Sequence, residues 1–283
     1  MKVRKAVFAG SWYPGAPNAC ENQIQEFLEE APPLPDDGGQ WVGGIVPHAG
    51  WVFSGAIACS VIASLRNGGA PDVIAVFGKH LPPGGPNSIL AEGAVETPFG
   101  PIEIQADLAD RLVERFPFQV ESPDRPVQDN TIELQLPFIK YFFPDAKLVP
   151  MGVPPSPGSL KIGKAAAEIA AEAGLKLKVI GSTDLTHYGA NFGFEPKGRG
   201  REAVDWVRFE NDRKVIEAML AMDPETVIQQ ALDNHNACCG GAAATALAAG
   251  KALGATAAES VAYATSYEKR PGDSFVGYVG IVF

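Results

Sequence analysis

Apolar, β-branched runs alternate along the chain with stretches of helical period. The runs at 41–46, 73–77, 93–96, 148–153, 177–181, 260–265 and 275–282 predict strands. The segments 22–30, 54–65, 107–115, 132–142, 160–173, 201–221, 225–232 and 241–253 predict helices. Val73-Ile74-Ala75-Val76-Phe77 is apolar at consecutive positions rather than alternating, the mark of a strand covered on both faces. Such strands interleaved with helices predict a layered α/β fold with a mostly parallel central sheet. The last two strands, joined by 268–273, add an antiparallel pair and hence a mixed sheet. Pro/Gly clusters at 32–39, 82–86 and 154–158 are short and read as loops, so residues 1–283 are expected to form a single domain.

Composition narrows the classes. Hydrophobic residues make up 46% and charged residues 20%, a balance that builds a packed core rather than a disordered chain. The net charge of −10 lacks the basic stripe that nucleic-acid binding needs and disfavours an anionic membrane surface. The one basic cluster, Lys197-Gly198-Arg199-Gly200-Arg201, reads as a solvated loop before a helix. No run approaches the roughly 18–20 apolar residues of a membrane span, and Ala6-Val7-Phe8-Ala9 is too short for a signal-peptide core, so a cytoplasmic location is expected. Cys20, Cys59, Cys238 and Cys239 show no CxxC spacing, and adjacency strains any Cys238–Cys239 disulfide; reduced thiols are expected.

The candidate chemistry gathers at strand ends, where ligands bind in open α/β sheets. Of the four histidines, His48, His80 and His187 each follow an apolar strand run. In a parallel sheet all three come out on one edge and can converge. The fourth, His235, precedes Cys238-Cys239-Gly240-Gly241 and an Ala-rich run, which puts the cysteines at the start of a helix where the dipole favours thiolate. Cys238 reads as a small core hydrophobe; Cys239 stands open between that role and a ligand. Two His and one Cys would hold a metal with positions open for water, oxygen or substrate. A histidine outside that set would be free for proton transfer. Asp184 either orients a ring nitrogen or caps a turn. Asn130-Thr131-Ile132-Glu133 fits a capping box, with Asn130 as cap and Glu133 reaching back. Gly10-Ser11-Trp12-Tyr13-Pro14 is an aromatic turn that walls a pocket or packs under a loop. Neither a phosphate-cradling glycine loop nor a Gly-x-Ser-x-Gly elbow is present.

At these residues the chain resembles the Memo family, of the AmmeMemoRadiSam system protein B type. That family is related in fold to class III extradiol dioxygenases such as the protocatechuate 4,5-dioxygenase catalytic subunit. The resemblance rests on Ala9-Gly10-Ser11-Trp12-Tyr13-Pro14, Val46-Pro47-His48-Ala49-Gly50-Trp51, Thr131-Ile132-Glu133-Leu134-Gln135-Leu136-Pro137-Phe138, Gly181-Ser182-Thr183-Asp184-Leu185-Thr186-His187-Tyr188-Gly189 and His235-Asn236-Ala237-Cys238-Cys239-Gly240. It implies a metal held by His48, His80 and Cys239, iron(II) first and copper second, with His187 as the acid–base group and Asp184 beside it. Cys238 takes the apolar position of the family's Ile-Cys-Gly motif. The chain departs from the usual pattern at Lys79, which brings a cation beside the metal unless it points away, and at Asn130, where the family usually has His.

The sequence therefore implies a mononuclear non-heme metal protein of the Memo type, with oxygen-dependent dioxygenase-like or redox activity on a small molecule. The rival is a non-catalytic module that binds a peptide or small molecule in the same strand-end pocket. A metal-assisted hydrolase is a third class, for which no second metal cluster speaks.

Overall fold

The protein is described by a computed structural model at residues 1–30, 40–125 and 127–283. The Pro/Gly cluster expected as a loop at 32–39 lies outside the described residues; 82–86 is a loop as expected, whereas the end of 154–158 opens a helix at Pro157 and the connection at 268–273 begins in the short helix Ser266–Lys269. In chain order the elements are β1 (Val3–Arg4), α1 (Pro17–Glu30), β2 (Gly43–Val46), α2 (Trp51–Ser64), β3 (Val73–Gly78), β4 (Asn87–Leu90), β5 (Ala94–Val95), β6 (Ile102–Glu103), α3 (Ala106–Arg115), β7 (Phe118–Glu121), α4 (Asn130–Glu133), α5 (Leu136–Phe142), β8 (Lys147–Gly152), α6 (Pro157–Glu172), β9 (Leu177–Ser182), β10 (His187–Tyr188), α7 (Arg201–Trp206), α8 (Asp212–Leu220), α9 (Pro224–Asn234), α10 (Gly240–Ala252), β11 (Glu259–Thr265), α11 (Ser266–Lys269) and β12 (Phe275–Val282).

The central sheet runs β10-β12-β2-β9-β3-β8-β4-β7, with β11 paired to β12. Pairings β2–β9, β9–β3 and β3–β8 are parallel; β12–β2, β11–β12 and β4–β8 are antiparallel. The sheet is thus mixed, as the tail pattern predicts. β5 does not join it. With β1 and β6 it forms a separate three-stranded sheet. β4 and β7 were not legible as strands. β7 carries Phe-Gln-Val-Glu on an outer position with half of it exposed, so no continuous apolar run marks it.

The apolar runs divide by parity. Ile45, Ala75, Phe77, Val149, Met151 and Val179 point into one core with α3, α6, α8, α9 and α10. Their neighbours Val46, Ile74, Val76, Leu148 and Ile180 point into a second core with α1, α2 and α5. Both faces of β2, β3 and β9 are covered, which is why these strands show no polar alternation.

The parallel register aligns the carboxyl ends that matter: Val46 lies opposite Ser182, and Phe77 opposite Gly181. α10 packs hard against β9. A Cβ added at Gly181 would sit 2.8 Å from Ala246 Cβ and 2.9 Å from the Ala242 carbonyl oxygen, so glycine is what lets the two elements approach. The predicted helix over 201–221 is interrupted by a π-helical turn, Val207–Asn211, between α7 and α8. Its extra residue turns both Asn211 and Asp212 inward, where they bind loops on the site side of the sheet. No helix among the described residues is long and apolar enough to cross a membrane.

Candidate functional site

His48 follows β2 after Pro47, and its surroundings hold it by the backbone as well as the ring. Its N–H donates to Asp184 Oδ1 at 2.7 Å, and its carbonyl accepts from Asn130 Nδ2 at 3.0 Å. Nδ1 lies 3.0 Å from Ser182 Oγ. With Nδ1 occupied by Ser182, Nε2 is the nitrogen turned into the site, 3.3 Å from Cys238 Sγ.

His80 follows β3 after Gly78 and Lys79. Lys79 adopts φ 71°, a left-handed conformation that L side chains rarely take. Its N–H donates to Thr131 Oγ1 at 2.7 Å, and its ammonium pairs with Glu121, which also accepts from Arg4 Nη1 at 2.6 Å. The Lys79 cation is therefore turned away from the histidines. The left-handed turn presents His80 Nδ1 to Cys239 Sγ at 3.4 Å and leaves the imidazole itself solvent-exposed. The rings of His48 and His80 meet edge to face, centroids 5.0 Å apart.

The two cysteines come from the turn that opens α10. Cys238 N–H donates to the Asp184 carbonyl at 3.1 Å, and Cys239 N–H to Thr183 Oγ1 at 3.0 Å. Their sulfur atoms are 3.9 Å apart, and both thiols are free. One donor atom from each of His48, His80, Cys238 and Cys239 lies within 4.8 Å of the others. Cys238 packs against the core, as expected, but only half-buried, and its sulfur also faces His48 and Thr183 Oγ1, because both cysteines are pinned by backbone bonds to the 183–184 loop.

His187 pairs with β12 through the short β10, and its Nε2 is buried without a hydrogen-bond partner. Asp184 Oδ2 lies 3.9 Å from both His48 Nε2 and His187 Nε2. A network behind the loop sets these positions. Asp212 accepts from Thr186 N–H at 3.0 Å, Asn211 Nδ2 donates to Thr186 Oγ1 at 3.0 Å, and Asn236 Nδ2 donates to the Asn211 carbonyl at 2.9 Å. The π-helical turn thus ties the residue before His187 to the segment before the cysteines.

The charges are mutually tuned. Burial disfavours protonation of His48, but the Asp184 carboxylate and the Cys238 thiolate outweigh it and raise its pKa to about 9. Burial likewise opposes a charged His187, and Cys238 and Asp184 again overcome it, so its pKa is raised. Burial opposes ionisation of Cys238, yet the Cys239 thiol and the two imidazoles bring it well below the usual thiol range. Burial and the neighbouring Cys238 thiolate hold Cys239 well above it. Asp184 is raised by burial, with His48 opposing. Cys20 and Cys59, each buried in apolar surroundings, are pushed to about 12 and are inert.

The donor set fits a metal ion. Bond lengths of about 2.0–2.1 Å to nitrogen and 2.3 Å to sulfur in a tetrahedron separate ligand atoms by roughly 3.3–3.8 Å. The N···S spacings of 3.3 and 3.4 Å fall in that range and the S···S spacing of 3.9 Å lies just above it, while the whole set of four donor atoms is contained within 4.8 Å, so the donors would draw in slightly around an ion. An ion would also replace the proton on His48 and the one on Cys239.

Above the histidines opens a cavity of about 1150 Å³, walled by Trp12, Tyr13, Trp51, Phe53 and Phe192. The aromatic turn at 10–14 therefore borders the pocket. Asn130 lines it too, and it is not the helix cap expected from the sequence: Asp129 caps α4, accepting from Ile132 N–H, while the Asn130 amide supports His48. Glu133 does not reach back either. It accepts from Val7 and Phe8 N–H and from Tyr13 O–H, pinning the N-terminal segment. The local capping pattern lost to partners more than 80 residues away. His235 stands apart from the cluster, 5.6 Å from the Phe194 ring. Ser182, Thr183 and Thr186, which the sequence reading passed over, carry hydroxyls at the end of β9; their sequence signal is the polar run between Gly181 and His187.

Fold and site together define a layered α/β protein with a histidine–cysteine cluster at the carboxyl ends of parallel strands. A family model described as Memo-like protein matches residues 4–282, and the chain belongs to the Memo family. A MEMO1 family protein of Pyrococcus furiosus is 33% identical over 292 residues, covering 99% of this chain and 98% of its own. MEMO1 family proteins of Pyrobaculum aerophilum and Methanopyrus kandleri are 31% and 32% identical, each over 99% or more of this chain. Among solved structures, an uncharacterized protein of Escherichia coli K12 superposes with a TM-score of 0.53 at 12% identity, over 85% of this chain and 98% of that one, a likeness of fold alone.

Proposed function

We propose that this chain is a mononuclear non-heme metal protein with oxygen-dependent, dioxygenase-like or other redox activity on a small molecule. His48, His80 and Cys239 would hold the ion, iron(II) or copper. The observation that carries this reading is the meeting of donor atoms from the ends of β2 and β3 and the start of α10 within 4.8 Å. The bound ion supplies a redox-active Lewis acid. The rest falls to the chain. Ser182 takes up His48 Nδ1 and leaves Nε2 for the ion. Asp184 grips the His48 backbone and faces His187. His187, raised in pKa by Cys238 and Asp184, gives or takes a proton at a molecule in the cavity. The aromatic wall excludes water from that molecule's apolar side.

Metal analysis of protein purified without added metal, beside His48→Ala and Cys239→Ser, tests the ligands. Stoichiometric iron or copper lost in both variants is expected; unchanged content overturns the assignment. Oxygen uptake with a panel of catechols tests the chemistry. His187→Gln should lower any uptake about 10²–10⁴-fold while metal content stays. A second reading, a binding module for a peptide or small molecule, draws on Trp12 and Phe192, which border the cavity yet remain 42% and 44% exposed. Ligand binding that survives metal removal, with no oxygen uptake by the loaded protein, would select it.

A further inference from the structure

The geometry points to Cys238 as a second thiolate ligand of the same ion, making the centre a two-imidazole, two-thiolate site for a thiophilic ion, copper(I) or zinc(II). This rests on the reading that His48, His80 and Cys239 hold a metal; it keeps copper, disfavours iron(II) and adds zinc(II).

Adjacent residues in an extended chain point to opposite sides, so two neighbouring cysteines do not by default share a target. Here the turn into α10 changes that. Cys239 has φ −127° and ψ 49°, and each cysteine N–H is fastened to the 183–184 loop, Cys238 to the Asp184 carbonyl and Cys239 to Thr183 Oγ1. Both sulfurs are brought to the same side, 3.9 Å apart. That is far beyond the roughly 2.05 Å of a disulfide, and it is close to the edge of roughly 3.8 Å between two sulfurs on one tetrahedral ion.

Each sulfur has one imidazole nitrogen beside it, and all four donor atoms lie within 4.8 Å. Cys238 Sγ is 3.3 Å from His48 Nε2, and Cys239 Sγ is 3.4 Å from His80 Nδ1. Each thiol therefore pairs with one imidazole, and the two imidazoles meet edge to face between them. A cysteine serving as a core hydrophobe would be enclosed by carbon. Cys238 is only partly buried, faces His48 and the Thr183 hydroxyl, and borders a second cavity of about 420 Å³ on the far side of His187. It packs against the core with part of its surface while its sulfur is offered to His48 as a donor.

The donor set decides the metal. One thiolate and two imidazoles leave room for iron, copper or zinc. A second thiolate shifts preference toward ions that favour soft, four-coordinate surroundings, copper(I) and zinc(II), and away from iron(II) with open positions. It also closes the coordination sphere at rest. Cys238, the donor next to the second cavity, is the one with space to move aside.

Reduced, metal-free, full-length protein titrated with zinc(II) and with copper(I), followed by X-ray absorption at the metal edge, tests this. Wild type is expected to show two sulfur and two nitrogen neighbours. Cys238→Ala is expected to show one sulfur and an affinity weaker by on the order of 10²-fold or more, since removing a ligand outweighs the 10–100-fold effect of removing a ligand's support. Cys238→Ser, which keeps the size but not the soft donor, should match Cys238→Ala. One sulfur in wild type, with unchanged affinity in Cys238→Ala, overturns the inference and leaves the three-ligand reading standing. Failure of wild type to bind either ion stoichiometrically also overturns the inference, and the three-ligand reading falls with it only if iron(II), titrated alongside, is not bound either. Should a variant not fold, the wild-type sulfur count still decides. Cobalt(II) provides an optical check: its thiolate charge-transfer intensity should fall by about half in Cys238→Ala.

Discussion

At the scale of the residue, Lys79 shows how a departure from a familiar pattern is absorbed. It lies next to a candidate ligand with a cationic side chain and a backbone at φ 71°. The charge is sent to Glu121, on the opposite side of the chain from the cluster, while the carbonyl accepts from Cys239 Sγ at 3.4 Å. The left-handed turn is what aims His80. A left-handed conformation costs an ordinary residue about 1–2 kcal/mol and glycine almost nothing. Lys79→Gly should therefore be more stable than Lys79→Ala by roughly 1 kcal/mol in urea melts, the reverse of the order expected at an ordinary position. Equal stabilities would show that this turn stores no strain. The histidines were legible because each ends an apolar run. The direction of the Cys238 sulfur was not, because adjacency in sequence does not say which way a side chain points.

At the scale of the element, two contacts place the site. The first is the approach of α10 to β9. Gly181→Ala would put a methyl group 2.8 Å from Ala246 Cβ, and overpacking of that kind costs about 1–3 kcal/mol. Since α10 carries Cys239 at its start, the variant should lose metal affinity as well as melting temperature; a lower melting temperature with unchanged metal binding would show that the helix shifts without moving its first turn. The second contact is the π-helical turn. Asp212 is buried and accepts from the Thr186 N–H and hydroxyl and the Tyr263 hydroxyl, and His187 is the cationic group that acts on it. Burial raises its pKa from 3.8 to about 7. A carboxyl group whose folded pKa lies above its unfolded value stabilises the fold fully below the unfolded value, and that stability drains away as pH rises to the folded one. Stability should thus fall between about pH 4 and pH 7, by at most about 4 kcal/mol from this group. Asp212→Asn should remove that slope in denaturation curves across the same range; an unchanged slope would mean the carboxyl is ionised throughout. Sequence periodicity reads 201–221 as one helix, because a π-helical turn shifts the apolar phase by a single residue.

At the scale of the whole molecule, the candidate ligands come from three distant parts of the chain, and one bound ion would join the end of β2, the end of β3 and the start of α10. An ion that binds only the folded protein stabilises it by RT ln(1 + [L]/Kd), about 2.7 kcal/mol at a hundredfold excess over Kd. Calorimetry should show a higher melting temperature on adding the ion, a reversal with chelator, and no shift in His48→Ala. A shift that persists in His48→Ala would place the ion elsewhere. The chain by itself determined the layered α/β class, the mixed sheet and the family, because period, β-branching and motif order are local or linear properties. It also placed three histidines at strand ends, since an apolar run followed by a polar residue marks where a buried strand emerges. Only the tertiary structure decided that the sulfurs of Cys238 and Cys239 lie 3.9 Å apart, that Lys79 turns outward, and that Asn130 and Glu133 serve His48 and the N-terminal segment rather than their own helix. Those outcomes depend on which way side chains point once distant segments are packed together, and hydrogen bonds spanning 82 to 190 residues leave no trace in local spacing.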